Sequence, residues 1–282
     1  MSQTQPAFKP TLGLTDATMI VAGSMIGSGI FIVSADMLKD MGGAGWLIVA
    51  WAITGFMTLT AAISYGELSA MFPRAGGQYV YLKEAYNPLT AFLYGWSFFA
   101  VIQTGTIAAV VVAFSKFAAY IFPSLSDTNI ILNLGKLQVS AAQIMSIAII
   151  ALLTWSNTRG VKGGKIIQNI FTSTKLIALF GLIVFGFLFA FNKEIWNANW
   201  TNAWEMMRHS SRLSSAPENS SWMPVTGVAM LGAIAAAMVG SIFSSDSWNN
   251  ITFIAGEVKN PKRNIGLSLF LGTLIVTIIY IT

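Results

Sequence analysis

Seven long apolar segments, separated by shorter polar connections, constrain the fold of this chain more than any other feature of its sequence. About 20 apolar residues, each rising 1.5 Å in a helix, cross the ~30 Å hydrocarbon core of a bilayer. Helices satisfy all their backbone hydrogen bonds within one segment, so we expect an all-α integral membrane protein. The expected helices cover about 15–35, 44–70, 88–121, 137–155, 166–191, 225–255 and 265–282.

The composition agrees with a membrane protein and excludes several functional classes. Hydrophobic residues make up 55% of the chain and charged residues 10%, against about one quarter charged in soluble domains. With 0 cysteines, the chain has no thiolate metal ligands or cysteine nucleophiles, and the single His209 cannot form a histidine cluster. The net charge of +5 is scattered over the loops, so we expect a lipid bilayer and no nucleic acid as partner.

The distribution of lysine and arginine among the loops predicts the orientation in the membrane. If the N-terminus is cytoplasmic, that side carries nine of them: Lys9, Arg74, Lys83, Arg159, Lys162, Lys165, Lys259, Lys262 and Arg263. The opposite side then carries five: Lys39, Lys136, Lys193, Arg208 and Arg212. This bias predicts a cytoplasmic N-terminal tail at 1–14 and an extracellular loop at 192–224. The N-terminal region does not look like a cleavable signal, so we expect the first apolar segment to be retained as a helix.

Three glycines interrupt the first apolar segment: Gly23, Gly27 and Gly29. A glycine inside a helix costs roughly 1 kcal/mol relative to alanine. One interpretation is close helix packing through small residues. The other is an unwound step at which backbone N–H groups of Gly27, Ser28 and Gly29 bind an anion such as a carboxylate.

The sixth apolar segment has a matching irregularity, because polar residues and the carboxylate of Asp246 interrupt it between positions 240 and 250. An ionisable group in mid-membrane normally faces a cavity or a partner. Two interrupted helices five segments apart are what an inverted repeat of five helices predicts. The two interruptions together favour the unwound interpretation of the first segment. They predict a first five-helix repeat at 15–191 and the start of a second at 225–282, with helices 1 and 6 broken.

Lys175 lies well inside the fifth apolar segment, too deep for its ammonium to reach the interface easily. An ionisable residue at this depth marks a functional site by default. A structural ion pair with Asp246 or Glu67 is the alternative, and exchange of a proton is a further possibility.

Several segments of the sequence resemble the amino acid–polyamine–organocation superfamily, and within it the L-type amino acid transporters and their bacterial homologues. They are Gly23–Phe31, Pro73–Tyr79 and Gly256–Asn264, together with Phe243–Asn249, which is similar to the broken sixth helix of the L-type members. The resemblance covers the whole chain and implies a LeuT-like inverted five-helix repeat. Members of the superfamily have about twelve helices, so this sequence is expected to be truncated after about seven.

The resemblance also implies a substrate site. Amides near Ser28 and Gly29 would hold the carboxylate of an amino acid, and carbonyls near Ile26 and from Phe243 to Ser245 would hold its ammonium. The implied substrate-binding residues are Ile26, Gly27, Ser28, Gly29, Phe243, Ser244, Ser245 and Asn249. Phe243 would also be the gate above the substrate. Lys175 matches the helix-five lysine of sodium-independent members, where its ammonium would lie between helices 1 and 5 in the place of a sodium ion.

The expected function is secondary transport of neutral L-amino acids across the cell membrane by alternating access, through sodium-independent exchange or proton coupling. No cofactor or metal is expected, and without cysteine the disulfide to the heavy chain of animal members cannot form. Two alternatives stay open. The first is a non-transporting sensor or an inactive permease fragment, and the second is a membrane-embedded enzyme, for which the sequence has no metal cluster or credible triad.

Overall fold

The structure, a computed structural model, describes residues 10–134, 137–158, 161–212 and 221–282. Lys9, Lys136 and Arg159, which contribute to the predicted orientation, lie outside the described residues, and so do the side chains of Lys162 and Lys165. Within the described ranges, 6 helices are long and apolar enough to cross a membrane. Two shorter helices that meet at a bend of 42° form a further candidate span, so the number agrees with the seven apolar segments.

The described chain is mostly helical. In chain order the helices are α1 (Leu14–Met25), α2 (Gly29–Met41), α3 (Ala44–Met71), α4 (Gln78–Ala85), α5 (Pro88–Ser97), α6 (Thr104–Ile121), α7 (Ala141–Thr158), α8 (Val161–Phe189), α9 (Lys193–Thr201), α10 (Val228–Ser244) and α11 (Pro261–Ile281). A π-helix, Phe98–Gln103, joins α5 to α6, and a 3-10 helix, Trp248–Glu257, follows α10. Two small antiparallel sheets pair β1 (Ile130–Leu134) with β2 (Leu137–Ser140) and β3 (Met207–His209) with β4 (Trp222–Pro224).

The start of the fourth span differs from the sequence prediction in its type of secondary structure. Residues 137–140 form strand β2, and the helix begins at Ala141 instead of Leu137. Ser140 and Gln143 explain the boundary, because the Ser140 amide donates to Gln143 Oε1 at 3.0 Å and the Gln143 amide donates to Ser140 Oγ at 3.4 Å. This reciprocal pair is a capping box, which starts a helix at the following residue. A short apolar run does not by itself separate strand from helix.

The described residues divide into two compact units, of which the first contains residues 10–77, 168–212 and 221–282. Its core is formed mainly by α1, α2, α3, α11 and the 3-10 helix, and α3 and α11 approach closely through small residues. A Cβ placed on Gly66 would lie 3.1 Å from the Gly266 Cα, so only glycine fits this crossing without a shift. Close backbone approach of this kind is how helices associate in lipid, where the hydrophobic effect between them is absent.

The polar segment after α9 contacts the end of α2 and the start of α3. The Gly45 amide donates to the Ala203 carbonyl at 3.0 Å. At the end of α2, Arg212 Nη2 lies 3.2 Å from Asp36 Oδ1, and Arg208 Nε lies 3.7 Å from Asp40 Oδ1. These contacts hold α2, the second half of the interrupted span, against the segment that follows α9.

The second unit contains residues 78–167. In it the long third segment is a continuous helical stretch from Pro88 to Ile121, with the π-helix in its middle. Helices α6 and α7 are joined by a buried hydrogen bond of 2.8 Å between the hydroxyls of Ser115 and Ser146. Serine pairs of this kind are common contacts between membrane helices.

Candidate functional site

The first apolar segment is broken at Ile26, Gly27 and Ser28, which lie between α1 and α2. The Ile26 amide still donates to the Ala22 carbonyl at 3.0 Å, but Ile26 has an extended backbone (φ −73°, ψ 101°), so the helix stops there. Among the described residues, no side chain caps the N-terminus of α2. The amides of its first turn therefore form a site of partial positive charge that is suited to an anion.

The three glycines of this segment have different roles. Gly23 lies inside α1, where a Cβ would overlap Thr172 and come within 2.6 Å of Gln168 Nε2, so it permits close packing against α8. Gly27 is exposed, and a Cβ there would meet open space. Gly29 begins α2, and a Cβ there would overlap the hydroxyl of Ser244. The packing interpretation therefore applies to Gly23 and Gly29, and the unwinding interpretation applies to Gly27.

The second break follows α10. The Ser245 amide closes the helix by donating to the Ser241 carbonyl at 3.0 Å, and Ser247 has a left-handed backbone at φ 69°. A left-handed conformation is uncommon for a residue with a side chain, and it turns the chain into the following 3-10 helix. The sixth segment is therefore interrupted within residues 245–247, inside the polar stretch that the sequence singled out.

The two breaks lie next to each other. Ser244, the last residue of α10, contacts the first residue of α2, because a Cβ placed on Gly29 would lie 3.0 Å from the Ser244 Cβ and 3.3 Å from its Cα. One turn earlier, a Cβ on Gly240 would lie 2.7 Å from Val33 Cγ1. Glycines on both helices thus allow α2 and α10 to approach closely, which brings the amide end of α2 to the carbonyl end of α10.

Lys175 reaches the first break from α8. Its Nζ donates to the Ile26 carbonyl at 2.7 Å and to the Gly23 carbonyl at 3.3 Å. These oxygens belong to the last turn of α1 and the residue after it, where carbonyls have lost their helical partners and carry partial negative charge. Within the described residues, no carboxylate lies within 4.0 Å of the Lys175 ammonium, and neither Asp246 nor Glu67 pairs with it.

Tyr280, near the end of α11, contacts both breaks. Its hydroxyl lies 3.1 Å from the Met25 carbonyl oxygen and 3.3 Å from the Ser244 carbonyl oxygen. Its ring packs edge-on against Trp51 with centroids 5.1 Å apart, and the residue is 6% exposed. The single O–H is shared between the carbonyls that end α1 and α10, so Tyr280 links the two helix ends.

Sequence reasoning missed Tyr280. The available signal was a lone phenolic hydroxyl in the apolar run 275–281, because a hydroxyl buried in lipid or protein needs a partner. Its partners were not predictable, since the Met25 carbonyl lies 255 positions away in the sequence.

The other residues implied by the resemblance lie at or beside the second break. Phe243 is 60% exposed and is not part of the hydrophobic core. Ser245 is buried, whereas Asn249 is partly buried in the 3-10 helix, where its carbonyl accepts from the Thr252 hydroxyl at 2.7 Å. The described residues contain no group of three or more side chains able to hold a metal ion.

Comparison with known proteins gives the family. The profile of the amino acid permease family matches residues 12–282. The b(0,+)-type amino acid transporter 1 of Mus musculus is 27% identical over 270 residues, which are 96% of this chain and 49% of the relative. The Asc-type amino acid transporter 1 of Mus musculus is 29% identical over 275 residues, 97% of this chain and 46% of the relative. The Large neutral amino acids transporter small subunit 2 of Homo sapiens is 28% identical over 276 residues, 98% of this chain and 46% of the relative.

The helices and the two adjacent breaks define a multi-pass membrane protein with interrupted spans. The chain belongs to the amino acid permease family, a family of transporters and not of enzymes, and it is related to the L-type transporters, as the sequence motifs predicted. The chain spans about half the length of the curated relatives it matches.

Proposed function

We propose that this protein is a secondary transporter of neutral L-amino acids, which binds its substrate between the two helix breaks. The observation that carries the proposal is the meeting of Gly29 and Ser244, which places the amide end of α2 beside the carbonyl end of α10. An amino acid is a zwitterion with its charges on neighbouring groups. A site made of one positive and one negative helix end complements both charges with backbone groups.

In this proposal the substrate carboxylate accepts hydrogen bonds from the amides of Gly27, Ser28 and Gly29. The open space beside Gly27 supports this position, because a ligand can approach that backbone without a side chain in the way. The substrate ammonium binds carbonyls of Ile26 and of residues 243–245, at the ends of α1 and α10. Phe243 is the gate, and Asn249 a polar contact on the 3-10 helix.

Lys175 is the fixed cation of the site in this proposal. Its hydrogen bonds to the Ile26 and Gly23 carbonyls place an ammonium group at the negative end of α1. A carrier that holds its own cation there does not need a sodium ion to stabilise the same carbonyls. We therefore propose sodium-independent transport, by exchange or with proton coupling.

The architecture proposed for the carrier is a LeuT-like inverted five-helix repeat, with the first repeat at 15–191 and the second begun at 225–282. Two broken helices in corresponding positions support it, since each break lies in the first span of its repeat. Placement in the cell membrane, with the tail 1–14 cytoplasmic and the loop 192–224 extracellular, follows from the charge bias of the loops.

Uptake into proteoliposomes tests the proposal. The purified protein should take up a labelled neutral L-amino acid without sodium, and uptake should rise when the vesicles are loaded with unlabelled amino acid if the protein is an exchanger. An inward proton gradient should raise uptake if protons are coupled. Binding without flux would support a sensor, and the lack of both would support an inactive permease fragment.

A further inference from the structure

The hydroxyl of Ser244 has no assigned role in the arrangement described so far. Ser244 is 5% exposed, and its Oγ is fully buried without a hydrogen-bond partner among the described residues. The neighbouring buried hydroxyl has partners: Ser241 Oγ, one turn earlier on the same helix, lies 2.7 Å from Thr54 Oγ1 and donates to the Met238 carbonyl at 3.1 Å. A buried polar atom without a partner costs free energy, so Ser244 Oγ is suited to hydrogen-bond a ligand.

The direction of this hydroxyl is known from its neighbour. A Cβ placed on Gly29 would overlap the Ser244 Oγ, so the oxygen lies directly against the first residue of α2. The amides of that first turn have no side-chain cap within the described part of the chain. An unpaired hydroxyl and a set of uncapped amides therefore meet at one place, and both can donate to the same acceptor.

We propose that the Ser244 side chain is a ligand of the substrate carboxylate. The inference rests on the proposed function, and it adds a side-chain donor to a site otherwise made of backbone groups. The carboxylate accepts from the α2 amides on one side and from the Ser244 O–H on the other. Because the hydroxyl belongs to α10, the bound carboxylate also joins the two interrupted helices.

The hydrogen bond from the Ser244 hydroxyl makes substrate recognition depend on an ionised carboxylate. A hydrogen bond to an ionised carboxylate is about twice as strong as one to a neutral oxygen. The hydroxyl therefore favours an amino acid over its amide, in which a neutral carboxamide replaces the carboxylate. It also gives a role to the buried polar side chain at the end of a largely apolar helix.

Ser244→Ala tests the proposal, with Ser268→Ala as the control. Ser268 is a buried serine of α11 whose hydroxyl donates within its own helix, to the Ile265 carbonyl at 2.8 Å. The purified proteins are screened with the common L-amino acids by thermal shift, and affinity is then measured for the one that stabilises the wild type most. We expect Ser244→Ala to bind it about tenfold or more weakly, and its amide with a smaller loss. Ser268→Ala should bind both as the wild type does.

The melting temperature of the ligand-free protein separates this role from a structural one. Loss of an unpaired hydroxyl should leave that temperature unchanged or raise it. Unchanged amino acid affinity in Ser244→Ala would overturn the inference, as would equal losses for the acid and its amide. A ligand-free Ser244→Ala protein that melts well below Ser268→Ala would assign the hydroxyl to an internal hydrogen bond and also overturn it. A wild type that binds no amino acid contradicts the proposed function itself.

Discussion

The Lys175 ammonium nitrogen lies 2.7 Å from the carbonyl oxygen of Ile26, the residue at which the first helix stops. The contact joins α8 to the break between α1 and α2. A lysine in mid-membrane therefore stabilises unwound backbone and does not pair with a carboxylate of the described residues.

Replacing Lys175 by alanine should affect transport more than binding. Removal of the ammonium leaves the Ile26 and Gly23 carbonyls without their donor and loosens the broken segment, but leaves the α2 amides in place. We expect the rate of uptake to fall about tenfold or more, with a change in substrate affinity of less than about threefold.

Lys116→Ala is the matched control for Lys175, since Lys116 is an exposed lysine of α6 and its loss should change neither quantity. Normal uptake by Lys175→Ala would show that the lysine is dispensable for translocation. Sodium-driven accumulation by the wild type would contradict the role of its ammonium as the fixed cation. If protons are coupled through this lysine, the alanine variant should lose stimulation by an inward proton gradient.

The hydroxyl of Tyr280 should contribute to both stability and transport. Tyr280→Phe keeps the ring that packs on Trp51 but removes the donor to the Met25 and Ser244 carbonyls. We expect the free energy of unfolding to fall by about 1 kcal/mol, together with slower uptake. Thermal unfolding of the purified protein measures the first effect, with Tyr120→Phe as the control because Tyr120 is 86% exposed. An unchanged melting temperature and unchanged uptake would leave the hydroxyl without the linking role.

Truncation of Phe243 tests whether its side chain is the gate above the substrate. Phe243→Ala should slow uptake while substrate binding is partly retained, because the truncated side chain no longer covers a bound substrate. Because Phe243 is 60% exposed, its truncation should not disturb the core, so slower uptake would not be caused by misfolding. Phe180→Ala, a change at a similarly exposed phenylalanine of α8, is the control. Equal uptake in the two variants would remove Phe243 from the site.

The Asp246 carboxylate is expected to contribute less to substrate affinity than the glycines of the first break, Gly27 and Gly29. It is exposed within the second break, and backbone carbonyls, not its carboxylate, are proposed to hold the substrate ammonium. Asp246→Asn should therefore weaken substrate binding less than a bulky side chain at the first break does. An equal or larger loss of affinity, measured in the same binding assay, would assign the ammonium to this carboxylate.

The sequence predicted the breaks well because their causes are local. Gly27 and Gly29 weaken a helix wherever they occur, and the polar run around Asp246 is unfavourable in lipid. Long-range contacts were not predictable. The contact between Ser244 and Gly29 and the two hydrogen bonds of Tyr280 join residues from distant parts of the chain.

The fourth span was predicted from apolar character alone, which failed at its start. The run from Leu137 is apolar enough for a helix, yet its first residues pair with β1 as a strand. The capping box of Ser140 and Gln143 was readable in the sequence as a serine followed three residues later by glutamine. The role of Gly23 was also undecided from the sequence, because it depends on the position of Thr172 on α8.

Gly29→Leu should abolish substrate binding, but the structure shows that it also disturbs the contact with Ser244, so a loss of folding has to be separated from a loss of binding. Gly27 offers the cleaner change. A side chain there meets open space, so Gly27→Leu should fold normally and yet fill the position of the carboxylate.

Equilibrium binding of a neutral L-amino acid to Gly27→Leu therefore decides whether the first break is the substrate site. Gly181→Leu, at a glycine of α8 that also faces open space, controls for the added side chain. We predict that Gly27→Leu melts as the wild type does but binds the amino acid at least about tenfold more weakly, whereas Gly181→Leu binds it normally. Wild-type affinity in a folded Gly27→Leu protein would contradict the placement of the carboxylate at the Gly27–Gly29 amides.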